Sequence, residues 1–130
     1  MNENGILFYD ETHKARYQEL LQAYSYNGTT DPYRVQLAYL IALTTETYNH
    51  RHSLYDEAER IIKPDSIKAD WQTGTTTRLT LLAFNLFTNS TAFCPDDMTS
   101  YCTPEHIFCC DLAPYFWQAI KIRYPEYTEE

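Results

Sequence analysis

From Thr75 to Phe87 the chain is apolar nearly all the way round a helix: Leu79, Leu82, Ala83 and Leu86 share one face, and Leu81, Phe84 and Phe87 occupy others. Such a helix has no wet side, so the rest of the chain must surround it. The threonines at 75–77 are poor in a helix interior, where their hydroxyls compete for backbone groups. They suit its start, where those hydroxyls satisfy free amides, and the helix is expected to begin among them. With 130 residues, 44% of them apolar and 22% charged, the chain has the size and make-up of one domain with its own core. The expected fold class is all-α: a single compact domain over residues 1–130, with about five or six helices around Thr75–Phe87.

The surrounding helices are legible mainly from their caps. His13, Tyr17, Leu20, Leu21 and Tyr24 fall on one helical face, with Asp10 as N-cap and Asn27-Gly28 as the stop. Asp31-Pro32 opens a second helix with Tyr33, Leu37, Leu40, Ile41 and Thr44 as its stripe, because proline lacks only an amide that a first turn leaves free. Thr44 and Thr45 recap a weaker segment running to about Leu54. Residues from Tyr55 to Trp71 are charged and broken by Lys63-Pro64-Asp65, which predicts a connection with a short helical turn. After the polar loop Asn89–Thr103, Thr103-Pro104 starts a short helix ending near Cys110. Asp111 caps a last one, with Pro114 in its opening turn and Pro125 at its end.

Ten Lys and Arg face eighteen Asp and Glu, a formal charge of -8 that repels a phosphate backbone, so direct nucleic-acid binding is not expected. The carboxylates are spread along the chain, with small clusters at Glu57–Glu59 and Glu129-Glu130, and read as a solubility feature. No stretch reaches the roughly 18 apolar residues of a membrane helix, and Met1-Asn2-Glu3-Asn4 does not open like a secretory signal. A cytoplasmic location without membrane contact is the expectation. Only Gly5, Gly28 and Gly74 occur, so no glycine-rich phosphate loop is present.

Cys94, Cys102, Cys109 and Cys110 cluster in one stretch with His106 between them, a soft donor set suited to zinc. Cys94, Cys102, His106 and Cys109 are the candidate metal ligands, although structural zinc sites present close cysteine pairs and these are widely spaced or adjacent. Burial as small apolar side chains is the competing reading, so no cofactor is required and zinc is the one to consider. A disulfide has least support in a reducing compartment. A cysteine nucleophile would need one of His13, His50, His52 or His106 as partner. His13 reads instead as a hydrogen-bonded core histidine, and His50 with His52 as a solvated helix end.

Twelve tyrosines are the strongest bias in the composition, and tyrosine joins a large contact area to one polar handle. Tyr17, Tyr33 and Tyr48 lie on expected buried stripes, whereas Tyr26, Tyr55, Tyr101 and Tyr127 lie outside them; these four, with Trp71, are the candidate interaction residues. Trp71-Gln72-Thr73-Gly74 and the threonines after it place donors at the mouth of the central helix, able to cap it or to hold an anion. Arg78, Lys121 and Arg123 are expected to pair with the surplus carboxylates.

Phe8-Tyr9-Asp10-Glu11-Thr12-His13-Lys14, Trp71-Gln72-Thr73-Gly74, Leu82-Ala83-Phe84-Asn85-Leu86 and Ala119-Ile120-Lys121-Ile122-Arg123-Tyr124-Pro125 resemble a small bacterial family of helical proteins of unknown function, carried by Firmicutes and their mobile elements. The resemblance implies fold and context; it assigns no activity, and the cysteine cluster is not part of its pattern. The function expected is that of a non-enzymatic protein-interaction protein, a phage or mobile-element product inhibiting a host defence complex such as a CRISPR nuclease. The alternative is a small zinc- or thiol-dependent enzyme, or a zinc-stabilised module, built on the Cys94–Cys110 cluster. A homodimer through exposed aromatics is a third form of partner.

Overall fold

Two short hairpins accompany the expected helices in the computed structural model, which describes residues 1–128. The first pairs β1 (Asn2–Glu3) with β2 (Ile6–Leu7), antiparallel, with Asn2 opposite Leu7. Its turn is Asn4-Gly5, both at positive φ, a conformation that asparagine and glycine tolerate best and that suits a two-residue hairpin loop. Helix α1 (Glu11–Ala23) follows, its first turn closed by the Asp10 carboxylate accepting the His13 amide at 2.8 Å. Asp31 does the same for α2 (Pro32–Ile41), accepting from Arg34 at 3.0 Å. Thr44 caps α3 (Thr45–Asn49), and the expected continuation to Leu54 breaks at His50 into a separate turn, α4 (Arg51–Leu54).

The stretch expected as a mere connection contains the second hairpin, β3 (Tyr55–Asp56) with β4 (Ile61–Ile62), and a 3₁₀ turn at Pro64–Lys68. Strands of two residues carry no period that a sequence could display. The central helix α5 runs Gly74–Thr88, slightly longer than Thr75–Phe87, because Thr73 and Thr76 form a reciprocal capping box at its start. Asn89 ends it in the left-handed region at φ 56°, where its short side chain is tolerated. A 3₁₀ segment, Asp96–Cys102, leads to α6 (Pro104–Ile107), capped by Thr103 as expected. Asp111 does not cap the next helix: α7 (Ala113–Arg123) follows Leu112 with no side-chain cap, and its Pro114 supplies the missing-amide residue instead. Pro125 ends α7 and opens α8 (Pro125–Thr128). The chain is thus mostly helical, in more and shorter pieces than five or six; the Glu129-Glu130 cluster lies outside the described residues.

Helix α5 shares the centre. Every residue of α2 from Gln36 to Ile41 is buried, and so are Ala42 and Leu43 beyond it, because α1, α5 and α7 all pack on α2. A polar residue in that position must find partners: the buried Gln36 amide nitrogen donates to the Tyr33 and Ala83 carbonyls at 2.9 and 3.0 Å and so ties α2 to α5. Among the described residues no helix is long and apolar enough to cross a membrane.

Gln72 binds the capping box to the core, its side-chain oxygen accepting from Thr76 at 2.6 Å and its nitrogen donating to Ser66 and Thr80. At the α5 mouth Thr73 and Thr76 are therefore engaged in capping the helix. Thr73→Ala is expected to lower stability by about 1 kcal/mol. A urea titration reads this as a lower midpoint at unchanged slope, and an unmoved midpoint would mean that the box contributes nothing.

Candidate interaction surface

Five separate segments meet and build a continuous stripe of arginine and aromatic side chains. The Arg60 guanidinium lies over the Tyr26 ring at 5.4 Å, and Arg34 Nη2 donates to the Arg60 carbonyl at 2.9 Å. Arg34 itself sits 5.2 Å from the Phe87 ring, which meets Tyr33 edge-on at 6.4 Å. The Arg123 guanidinium is held between two rings, 3.9 Å from the centre of Tyr33 and 4.4 Å from that of Tyr124, and Tyr124 adjoins Tyr127 at 6.2 Å. These residues come from the α1–α2 turn, the β3–β4 hairpin, the first turn of α2, the last turn of α5 and the α7–α8 corner. All are element ends, so the surface exists only once the helices are docked.

The arginines are fixed from below. Arg123, 8% exposed, donates through Nε to the Leu86 carbonyl at 2.9 Å and through Nη2 to the Asn89 side-chain oxygen, which also accepts from the Tyr124 hydroxyl. Leu86 and Asn89 stand at the C-terminal end of α5, where unsatisfied carbonyls give a partial negative charge, so the cation caps the central helix. Arg34 pairs with Asp31 at 2.8 Å and donates to the Tyr55 hydroxyl, and Arg60 donates to the Tyr24 carbonyl. Contrary to expectation, Arg78 and Arg123 reach no carboxylate among the described residues; Arg78 donates to the His106 carbonyl. Backbone oxygens at helix ends and aromatic faces provide the compensation that surface carboxylates were expected to give.

The tyrosines sort differently from their sequence pattern. Tyr26 and Tyr127 are 63% and 80% exposed, as interaction candidates should be, and both lie on the stripe. Tyr55 is 1% exposed, its ring packed 4.5 Å from Tyr24, and is a core residue. Tyr33, placed on a buried stripe by its spacing, is 37% exposed because it stands at the helix end, beyond the reach of the packed neighbours. Tyr101 is exposed on a different face beside His106, and Trp71 is half-buried against His50 at 4.4 Å. That stacking also corrects the reading of His50 as solvated: its Nδ1 is sealed from solvent without a partner, while His52 is exposed.

The cysteine cluster divides in two. Cys94 and Cys102 touch, Sγ to Sγ 2.9 Å, under the 94–102 loop, whereas His106 and Cys109 line an open cleft of about 370 Å³ with Arg78, Tyr101 and Glu105. The four proposed ligands are therefore not brought to one point, and among the described residues no three His, Cys, Asp or Glu side chains are grouped to hold a metal. Burial pushes the Cys102 thiol up to about 12, opposite to what a nucleophile needs. Nothing in the sequence pointed to Arg34, Arg60, Phe87, Arg123 or Tyr124 as one surface; the adjacency of Tyr33 with Arg34 and of Arg123 with Tyr124 was the only local trace.

Fold and surface together define a class: a small, predominantly helical domain whose helix ends present a tyrosine face clamped by arginines. The chain belongs to the family of unknown function DUF6075, whose model matches residues 3–130. No curated protein and no solved structure matches it.

Proposed function

We propose that the protein is a non-enzymatic interaction module that engages a protein partner through the stripe from Tyr26 to Tyr127. The observation that carries this reading is the pair of clamped rings around Arg123: Tyr33 and Tyr124 are held on both sides of one buried guanidinium and remain partly open to solvent. Tyrosines already fixed in place lose little side-chain freedom on binding, and that saving raises affinity without any added contact. The thiol-enzyme alternative is less well supported, since burial holds Cys102 protonated and His106 lines a separate cleft with Cys109.

The specific form of the proposal is a phage or mobile-element product that inhibits a host defence complex such as a CRISPR nuclease, in the cytoplasm. Small size, acidity and surplus tyrosine support it. Affinity purification from a native host is expected to recover a stoichiometric partner with the wild-type chain. Tyr26→Ala with Tyr127→Ala should reduce that recovery at least tenfold, as loss of contact tyrosines commonly does. Because both side chains are exposed, thermal stability should stay unchanged. Equal recovery with the double variant removes the stripe as the interface, and a defence-challenged strain that gains no protection removes the inhibitor reading.

A further inference from the structure

Cys94 and Cys102 are separated by seven residues, yet their sulfurs are 2.9 Å apart, a distance no other thiol pair approaches among the described residues. Two features enforce this. Phe93 packs edge-on against Phe84 of α5 at 5.8 Å, which turns the neighbouring Cys94 inward to 6% exposure. The 3₁₀ segment Asp96–Cys102 then returns the chain, started by Met98 donating its amide to the Pro95 carbonyl at 2.9 Å and tethered by Lys68 to Asp97 at 2.8 Å. The loop is closed before any bond joins its ends.

We infer that Cys94 and Cys102 form a two-electron redox pair whose disulfide closes the 94–102 loop where it packs against α5. With hydrogen peroxide as the oxidant, the partly exposed Cys102 loses its proton and attacks one peroxide oxygen; the O–O bond breaks and hydroxide leaves, giving a sulfenic acid. Cys94 then attacks the Cys102 sulfur, the S–O bond breaks, and water leaves as the S–S bond forms. Two thiols and one peroxide give one disulfide and two waters. The sulfurs lose two electrons and the peroxide gains them. Since burial keeps the Cys102 thiol protonated at neutral pH, the first step is slow there and should accelerate about tenfold per pH unit as thiolate appears.

Oxidation of the full chain should lower its titratable thiols from four to two. Cleavage before Asp96 should leave the two cysteine-bearing fragments joined until a reductant is added. The melting temperature should rise by roughly 5–10 °C, as a short cross-linked loop in a domain of this size allows. A chain with Cys109→Ser and Cys110→Ser should respond in the same way. Cys102→Ser, and independently Cys94→Ala, should abolish both the linkage and the temperature rise. The proposal is overturned if the chain with Cys109→Ser and Cys110→Ser leaves the fragments unjoined, if either Cys94→Ala or Cys102→Ser keeps the linkage or the full rise, or if peroxide yields only higher sulfur acids. It is independent of the interaction reading, since none of these measurements involves a partner.

Discussion

Arg123→Met is expected to lower stability by about 3–4 kcal/mol, more than any other single change on the stripe. Methionine keeps most of the stem's volume, so the loss isolates the guanidinium. The Leu86 carbonyl loses its donor, the Asn89 side-chain oxygen loses one of its two, and Tyr33 and Tyr124 lose the cation between them. An unsatisfied buried acceptor costs about 1–3 kcal/mol, and a desolvated cation–π contact contributes up to about 2 kcal/mol. Replacing a buried ion pair by apolar groups is often neutral. That exemption does not apply here, because the Leu86 carbonyl at the helix end is left with no other donor in place. Arg123→Lys should recover part of the loss, keeping the charge but not the fork that reaches both acceptors. Chemical denaturation gives the answer directly, and a midpoint for Arg123→Met within 1 kcal/mol of wild type would mean the clamp is not structural.

His13→Leu is expected to cost about 3 kcal/mol at neutral pH and to flatten the acid side of the stability profile. The imidazole is 1% exposed and bonded on both sides: Nδ1 accepts from the Tyr9 amide at 3.0 Å and Nε2 donates to the Tyr39 carbonyl at 2.9 Å. Those two partners fix the neutral tautomer, since a proton on Nδ1 would point at an N–H. Burial, the largest influence, holds the His13 pKa below its ordinary 6.5. The folded state therefore takes up fewer protons than the unfolded one below pH 6.5, and stability falls as pH drops through that value. The slope from this one group is at most about 1.4 kcal/mol per pH unit, levelling off below the folded-state pKa. Leucine removes the titration, so the difference between the two proteins should shrink from pH 7 to pH 5. A difference that stays constant over that range would show that His13 does not titrate on unfolding.

Both predictions depend on side chains whose surroundings the sequence described unequally. His13 was placed on the apolar face of α1 by its spacing from Tyr17 and Leu20, and it is buried there. The Asp10, Asp31, Thr44 and Thr103 caps were likewise legible, because a cap acts within one helical turn and needs no distant partner. The stripe and the paired cysteines were not. Tyr26, Arg34, Phe87 and Arg123 are far apart in the chain and meet only where α1, α2, α5 and α7 end together.

Sequence alone determined that residues 75–87 must lie inside a helical domain, since a helix apolar on every side has only burial available to it. It also determined the starts of α1, α2, α3 and α6, through residues that satisfy free amides locally. Tertiary structure decided which tyrosines those helices cover, burying Tyr55 and opening Tyr33 against their periodicity, because exposure depends on where neighbouring elements stop. It decided as well that α2 shares the centre with α5, and that the charge of Arg123 is compensated by a helix end and two rings instead of a carboxylate. Local chemistry acts over four residues and is written in the sequence. The rest depends on long-range packing, which brings together groups that no spacing along the chain connects.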